Sequence, residues 1–163
     1  HKLRKKVQQM AIGKKITGDE LLELPVDVVV PASVENTINL DNMKKIKAKI
    51  ILEMANGPVT ADADDYFEEK NTVILPDILA NSGGVIVSYF EWVQNQSNHY
   101  WEEHTVNERL SEYMIKSFKE TEETRKEENS SYRKAAYVLA VKRILRAEED
   151  RGNIFRKTKV EEK

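Results

Sequence analysis

Three short β-branched segments separated by helical stretches constrain the fold of this chain more than any other feature. The segments cover residues 26–30, 48–52 and 72–75, and each is nearly continuous in apolar character. Continuous apolar character over the length of a strand is typical of strands that helices cover on both faces. The alternation of strand and helix predicts βαβ units, a parallel sheet and an α/β fold.

Two helices are expected between these strands. Asp41 is placed to cap a helix that runs to residue 47, and Thr60 is placed to cap a helix over residues 61–70. Both side chains carry an oxygen that can accept a hydrogen bond from the first N–H groups of a helix. Acidic residues in the first turn of the second helix add a favourable interaction with the helix dipole.

The chain becomes helical in character after Pro76. We predict one helix over residues 78–95, interrupted only by Gly83 and Gly84 near its start. A second helical region is predicted over about residues 106–119.

A polar segment and a final helix complete the chain. Residues 120–131 are almost wholly polar, and we expect an exposed connection or an exposed helical extension there. A last helix is predicted over about residues 132–149, with Gly152 just past its end, where glycine is usual. Its apolar stripe consists of Ala136, Leu139, Ala140, Ile144 and Leu145.

Composition excludes several classes of function. The 26 basic and 28 acidic residues leave a formal net charge of -2, so no overall basic field attracts nucleic acid or an anionic membrane surface. No apolar run is long enough to span a bilayer, no signal peptide is expected, and the lack of cysteine permits an intracellular origin. The first residue is His1 rather than Met, which we interpret as a fragment or a processed product, with an expression scar as the alternative.

The carboxyl ends of the predicted strands are the expected ligand-binding edge, because open parallel sheets bind ligands there. Those ends are residues 31–33, 55–58 and 76–84, which are made of small residues, amides and glycine. Small side chains let a ligand approach the backbone, and asparagine both donates and accepts hydrogen bonds. This chemistry suits neutral recognition of a ribose or a carboxamide, and it supplies no general base, nucleophile or metal cage.

One helix face within the predicted helix 78–95 also bears on function. Asn81, Val85 and Ser88 are spaced at i, i+4 and i+7, so they are predicted to share a face. An amide, an apolar contact and a hydroxyl in a row are suited to a cofactor and a small polar substrate. The alternative is an ordinary helix face packed on the sheet, with Ser88 bonded to its own backbone.

A metal site is not expected. Residues 99–104 read HYWEEH, but three residues separate the first histidine from the Glu-His pair, whereas the inverted zinc-protease pattern needs two. The acidic segment 61–65 reads ADADD, and it lacks the glycine and the spacing of a calcium loop. Their carboxylates are more simply explained by the start of a helix.

Three segments resemble those of one enzyme family. Residues 31–38 read PASVENTI and resemble the PAA-x-E-N-x-I segment of glutamate dehydrogenases. Residues 53–60 read EMANGPVT and are similar to the family's EGANGPTT segment, and residues 76–95 read PDILANSGGVIVSYFEWVQN, similar to its most recognisable stretch. Further matches are Tyr100-Trp101 and RKAAY at 133–137, so the resemblance to the C-terminal part of glutamate dehydrogenases covers nearly all of 27–152.

The resemblance implies an oxidoreductase of amino-acid metabolism that uses NAD or NADP. L-glutamate would be reversibly deaminated to 2-oxoglutarate and ammonia, with hydride transfer to the cofactor. The adenosine or ribose side of the cofactor is expected along Ala32 and Ser33. Asn56 is expected at the nicotinamide-side ribose, and Asn81 near the nicotinamide.

The same resemblance implies two substrate contacts and shows three departures. Val85 is expected to pack on the carbon chain of the substrate, and Ser88 to bond its side-chain carboxylate. Ser33 and Ser82 each stand where the family has alanine, which are modest changes. Met54 stands where the family has glycine, and its bulk is expected to alter packing near the cofactor cleft.

The resemblance also implies what this chain lacks. We expect three features upstream of this chain: the glycine fingerprint for a pyrophosphate, the residues that discriminate NAD from NADP, and the catalytic lysine and aspartate. No catalytic residue is therefore assigned here, and the chain alone is expected to be inactive. We expect a partial Rossmann-like nucleotide-binding domain over 1–98, a helical segment over 99–152 and a charged tail over 153–163. A cytoplasmic homo-oligomer, a hexamer when intact, is implied; a truncated non-catalytic binding module and a related amino-acid dehydrogenase are the alternatives.

Overall fold

The computed structural model describes residues 13–153. A short helix α1 (Gly18–Leu22) precedes strand β1 (Val28–Val29), and a 3₁₀ turn (Met43–Lys45) leads to β2 (Ile50–Leu52). Helix α2 (Ala61–Glu69), strand β3 (Val73–Leu75) and the single-turn helix α3 (Asp77–Ala80) follow. Three longer helices complete the described chain, namely α4 (Gly83–Ser97), α5 (Glu103–Glu127) and α6 (Tyr132–Asp150).

The three strands form one parallel sheet in the order β1-β2-β3. Ile51 at the centre of the sheet pairs with Val29 on one side and Ile74 on the other. Ile51 is fully buried, and Phe67 from α2 covers the same core. Parallel pairing requires a crossover between strands, and α2 provides the crossover between β2 and β3. The predicted α/β fold with a parallel sheet is therefore confirmed.

Strand β1 differs from the expectation of burial on both faces. Val29 is buried, but Val28 is 45% exposed and Val30 is 48% exposed. Within the described residues, β1 is an edge strand, since only β2 pairs with it. Successive side chains of a strand point to opposite faces, and Val28 shares its face with Val73 of β3, which is also 39% exposed. The described residues therefore cover one face of the sheet well and the other only in part.

The helix predicted from Asp41 to residue 47 is wrong. The segment forms one 3₁₀ turn at Met43–Lys45, and Ile46 is already extended. Asn42 precedes the turn, and its side chain accepts a hydrogen bond from Asn39 N (2.9 Å) and donates one to Thr37 O (2.8 Å). A side chain that bonds the preceding backbone stabilises a turn in place of a helix.

The cap predicted at Thr60 is confirmed in position but not in chemistry. Helix α2 ends one residue before the predicted boundary, and Thr60 stands at its N-cap. The Thr60 hydroxyl makes no capping bond and is buried without a partner among the described residues. The acidic residues Asp62 and Asp64 in the first turn supply the favourable charge at this helix start.

The single helix predicted over 78–95 is in fact two helices. α3 ends at Ala80 and α4 begins at Gly83, with Asn81 and Ser82 between them. The Ser82 hydroxyl donates to Leu79 O (2.7 Å) at the end of α3. The i, i+4, i+7 spacing predicts that Asn81 shares a helix face with Val85 and Ser88. This prediction is wrong, because Asn81 lies before the start of α4.

Helix α5 is longer than the sequence pattern indicates. It continues to Glu127, so the polar segment after residue 119 is mostly a helical extension and not a connection. Thr121 and Thr124 in this extension are buried, although the segment was expected to be exposed. Their hydroxyls donate to the carbonyls of Ser117 (2.7 Å) and Glu120 (2.8 Å), which satisfies these groups when they are buried.

Helix α6 agrees with its predicted bounds to within one residue, and Gly152 follows it with a positive φ of 76°. It packs on α5, and Phe118 of α5 stacks on Tyr132 of α6 with ring centroids 6.1 Å apart. The predicted apolar stripe is only partly buried, because Ile144 is 63% exposed and Leu145 is 46% exposed. The buried residues of α6 are alanines in its first turns, where the helix also contacts β3.

Candidate functional site

Three loops meet at the carboxyl edge of the sheet and are joined by hydrogen bonds that backbone N–H groups donate. Pro31 O, after β1, accepts from the N–H groups of Met54 (3.1 Å) and Ala55 (2.9 Å), after β2. Gly57 N, in the same β2 loop, donates to Asp77 Oδ2 (2.8 Å) at the start of α3. These contacts hold together residues 31–33, 55–58 and 76–84, the segments that are predicted to face a ligand. We call this edge the rim.

Gly57 is required by the backbone of this rim. Its φ is 53°, in the left-handed region where a side chain is strained. Its carbonyl accepts from Asn36 N (2.9 Å), which fastens the loop after β1 to the loop after β2. The turn at Gly57 also sets the orientation of the preceding residue, Asn56.

The two asparagines predicted near the cofactor are in direct contact. Asn81 Nδ2 donates to Asn56 Oδ1 (2.7 Å) and lies 3.4 Å from Ala55 O. A carbonyl oxygen only accepts, so the atom of Asn81 that faces Ala55 must be its NH₂ group, and Asn56 must then present its oxygen to Asn81. Among the described residues, the Nδ2 of Asn56 and the Oδ1 of Asn81 have no hydrogen-bond partner, which leaves one NH₂ group and one carbonyl oxygen available at the rim.

Ala32 and Ser33 line a groove together with Asn56. The groove has a volume of about 570 Å³, and Val34, Glu35, Met54 and Ala55 complete its lining. Met54 is 42% exposed, so the residue that replaces a family glycine stands in the groove wall. The structure thus brings three of the six predicted site residues to one concave surface and links the fourth, Asn81, through Asn56.

Val85 and Ser88 lie on α4, beyond the asparagine pair. Val85 is 67% exposed, and Ser88 is also exposed. The Ser88 hydroxyl donates to Val85 O at 3.1 Å, which is the local backbone bond of the alternative interpretation. The other half of that alternative, a helix face packed on the sheet, is wrong, because this face of α4 is open.

The two glycines at the start of α4 face different surroundings. A methyl group built on Gly83 would lie 3.7 Å from Leu110 Cδ1 and 3.9 Å from Met114 Sδ of α5. A methyl group on Gly84 would meet no heavy atom within 4 Å. A methyl group on Gly83 would thus fit against α5 at ordinary contact distance, whereas Gly84 leaves open backbone beside Val85.

An aromatic cluster at the far end of α4 fixes this helix against α5. Phe90 is buried and lies 5.5 Å from the ring of Trp101 and 5.6 Å from the ring of Tyr113. Gln94, also buried, accepts a hydrogen bond from Trp101 N (2.6 Å). These contacts hold the helix that carries Val85 and Ser88 to a rigid neighbour.

An ion network beneath the rim was not found by sequence reasoning. Arg133 of α6 donates to both carboxylate oxygens of Glu53 (2.7 and 3.0 Å) and to both of Asp64 (3.0 and 3.1 Å). Its Nη1 also lies 3.8 Å from Asp77 Oδ1. Glu53, Asp77 and Arg133 belong to the family-like segments, but Arg133 and Glu53 are 80 positions apart, and no local spacing reveals their contact.

The carboxylates around Arg133 stabilise its charged form. Burial lowers the pKa of Arg133, but hydrogen bonds to Glu53 and Asp64 outweigh burial and raise the pKa above its ordinary value. Arg133 therefore remains a cation at any pH at which the protein is folded.

Neither a metal cluster nor a membrane span is found in the described part of the chain. No group of three His, Cys, Asp or Glu side chains among residues 13–153 is arranged to hold a metal ion. No helix within those residues combines the length and the apolar character needed to cross a bilayer.

Comparison with known proteins places this geometry in one family. The sequence profile of the Glutamate/Leucine/Phenylalanine/Valine dehydrogenases matches residues 1–152. Over 140 residues, covering 86% of this chain and 33% of each relative, the identity is 43% to the NAD-specific glutamate dehydrogenase of Clostridioides difficile. With the same coverage, it is 45% to the NADP-specific glutamate dehydrogenase of Synechocystis.

A solved structure agrees with these sequence relatives. The hetero-hexameric glutamate dehydrogenase from Thermus thermophilus superposes with a TM-score of 0.79 at 27% identity, covering 84% of this chain and 33% of that chain. This chain thus spans about a third of the length of the relatives that it matches. Both the sequence and the fold show that the chain belongs to the Glutamate/Leucine/Phenylalanine/Valine dehydrogenase family.

Proposed function

We propose that this chain forms one wall of the cofactor and substrate cleft of an NAD(P)-dependent glutamate dehydrogenase. The observation that carries the proposal is the Asn56–Asn81 amide pair at the carboxyl edge of the parallel sheet, beside the groove at Ala32 and Ser33. Open α/β sheets bind dinucleotides at that edge. The names of the relatives support glutamate as the substrate of the whole protein.

The polar groups at the rim fit a dinucleotide. Asn56 keeps an NH₂ group to donate to a ribose hydroxyl, and Asn81 keeps a carbonyl oxygen to accept from a carboxamide NH₂. Ala32 and Ser33 are small and exposed, so the adenosine side of a cofactor can lie against the backbone there. Neutral amides and small residues can contact the ribose and carboxamide groups of such a ligand, and they place no negative charge beside its phosphates.

The open face of α4 fits the substrate. Val85 offers an exposed apolar surface to the carbon chain of 2-oxoglutarate. The Ser88 hydroxyl can rotate from Val85 O and donate to the distal carboxylate, since a charged acceptor forms the stronger hydrogen bond. Glutamate and 2-oxoglutarate carry that second carboxylate, whereas leucine, valine and phenylalanine do not.

The chemistry is divided between the cofactor and the protein. A bound nicotinamide supplies the hydride acceptor or donor for the reversible deamination of glutamate to 2-oxoglutarate and ammonia. The residues of this chain orient the cofactor and the substrate and exclude water from one side of the cleft. No general base is assigned to this chain, so turnover requires residues from the rest of the protein.

Assembly as a hexamer is part of the proposal. The Thermus thermophilus relative is a hetero-hexamer, which supports a hexameric assembly but not the homo-oligomer that we expect here. Light scattering on the complete protein, coupled to size-exclusion chromatography, would give the mass of the assembly. A monomeric mass would contradict this part of the proposal and leave the assignment of the cleft intact.

The proposed activity is tested by ammonium-dependent oxidation of NADH and NADPH with 2-oxoglutarate, using protein from the complete reading frame. Turnover is expected, and comparison of the two cofactors gives the preference. Turnover only with the oxo acids of leucine, valine or phenylalanine would indicate a related amino-acid dehydrogenase. A folded protein without turnover on any of these would indicate the non-catalytic module.

A further inference from the structure

A buried carboxylate stands directly beneath the proposed cofactor rim. Glu53 follows β2 and has no exposed surface. A buried carboxylate without a cation is strongly unfavourable, and Arg133 pairs with both Glu53 oxygens in a forked geometry. The position of this carboxylate is thus determined by a side chain from α6.

The same carboxylate is connected to the asparagine pair by a short series of hydrogen bonds. Glu53 Oε2 accepts from Asp77 N (2.8 Å), and Asp77 Oδ2 accepts from Gly57 N (2.8 Å). Gly57 follows Asn56 directly, and α3, which Asp77 begins, has Asn81 as its C-cap. Asn56 is therefore attached to this series through Gly57, and Asn81 is attached to it through Asp77 and the single turn of α3.

We propose that Arg133 is a positioning residue for the cofactor, which holds Glu53 and Asp77 so that the Asn56–Asn81 pair is set for binding. The inference rests on the proposed function and adds a residue that neither contacts the groove nor belongs to its lining. Arg133 lies in the first turn of α6, and its ion pairs connect this helix to both loops. A shift of α6 is thereby transmitted to the orientation of the two amides.

The effect on binding follows from the geometry of the series. Loss of the guanidinium leaves Glu53 without a charged partner, so its carboxylate moves toward water and releases Asp77 N. Displacement of catalytic or binding groups by about 1 Å reduces kcat/KM by up to roughly a hundredfold. A purely structural brace would instead lower the unfolding temperature and leave the affinity of the folded protein unchanged.

The test uses protein from the complete reading frame with Arg133→Met, Arg133→Lys and a matched control, Lys134→Met. Lys134 is adjacent on α6, and its pair with Glu68 (3.0 Å) is exposed and lies away from the rim. NADH affinity by fluorescence titration, the KM and kcat for 2-oxoglutarate, and the unfolding temperature are measured for each variant.

We expect Arg133→Met to weaken NADH binding by about tenfold or more at a temperature where it is fully folded, with partial recovery in Arg133→Lys. Lysine restores the charge but not the fork, so recovery is incomplete. Lys134→Met is expected to behave as the unaltered protein. Unchanged NADH affinity in a folded Arg133→Met variant would overturn the inference.

A milder variant decides the matter if Arg133→Met does not fold. Asp77→Asn keeps Arg133 and offers one oxygen to two donors, Gly57 N and Ile78 N, so the loop that carries Asn56 is loosened. Weaker NADH binding with a near-normal unfolding temperature supports the inference, and unchanged binding overturns it. Failure of the unaltered protein to bind NADH or NADPH, or to turn over, would refute the proposed function itself and the inference with it.

Discussion

Asn81 donates a hydrogen bond from its side-chain amide to the side-chain oxygen of Asn56 at 2.7 Å, although 25 positions separate the two residues. The contact joins the loop after β2 to Asn81, the C-cap of α3. It also sets which polar atom each asparagine presents outward. The recognition element that we propose is thus a single pair built from two distant segments.

A double-mutant cycle on this pair is the first prediction. Asn56→Ala and Asn81→Ala are each expected to weaken NADH binding, because each removes one outward group and releases the other. The coupling free energy is expected to be about 0.5–1.5 kcal/mol, that of one intramolecular hydrogen bond. Fluorescence titration of the single and double variants measures it, and strictly additive losses would show that the asparagines act independently.

The second prediction concerns the hydroxyl on the open face of α4. Ser88→Ala is expected to raise the KM for 2-oxoglutarate by about tenfold and to leave the NADH KM nearly unchanged, since it removes a donor to the substrate alone. Ser97→Ala is the matched control, because its hydroxyl also bonds a carbonyl of the same helix, Val93 O at 2.9 Å. A defect of Ser88→Ala that fell wholly on the cofactor would refute the substrate role.

The third prediction separates the two glycines at the start of α4. Gly84→Ala is expected to raise stability by about 0.5–1 kcal/mol, since alanine loses less backbone entropy in a helix. It is also expected to weaken cofactor binding, because its methyl group occupies the open space beside Val85.

Gly83→Ala serves as the control for that variant. Its methyl group would face α5 at ordinary contact distance, so the helix is stabilised without a change in cofactor affinity. Thermal unfolding and NADH titration of both variants are the measurements. Equal affinities in the two would mean that nothing binds against Gly84.

The fourth prediction tests the energy stored in the buried ion network. Glu53→Ala is expected to lower the free energy of unfolding by about 3 kcal/mol, the lower part of the range for a broken buried pair, because Arg133 keeps Asp64. Glu68→Ala removes an exposed pair with Lys134 and should cost much less, because water and salt screen that pair. Urea unfolding measures both, and equal losses would contradict the assignment of Glu53 as the central buried partner.

The fifth prediction is a pH dependence in the α5–α6 hairpin. Hydrogen bonds from Arg125 hold the pKa of Glu122 well below its ordinary value. The resulting stabilisation is complete above the unfolded pKa of about 4.3 and is lost as the pH falls from there toward the lower folded pKa.

Glu122→Gln is therefore expected to lower the unfolding temperature at pH 7 and to have a progressively smaller effect below about pH 4. Glu123→Gln, at the exposed neighbouring position, is the control and should have little effect at either pH. Thermal unfolding is followed by circular dichroism at 222 nm, a signal that decreases as the helices lose their backbone hydrogen bonds. An effect of Glu122→Gln that stayed constant down to pH 3 would contradict the assigned pKa shift.

Local sequence determined the secondary structure where its signals were short-range. The runs of β-branched residues located all three strands, the acidic first turn located α2, and Gly152 marked the end of α6. Each of these depends on residues within a few positions of one another, so propensity and capping are sufficient. Family-like segments likewise located the six candidate site residues, whose binding roles stay predictions.

Tertiary contacts determined the features that depart from the local sequence patterns. The break between α3 and α4 arises at Asn81, whose amide bonds Asn56 across the rim, and the burial of Thr121 and Thr124 arises from the packing of α5 and α6. The partner of Glu53 was equally hidden, since Arg133 reaches it from 80 positions away. Hydrogen bonds and ion pairs between distant segments depend on three-dimensional proximity, which the period of a helix or strand does not encode, so these contacts emerged only from the folded chain.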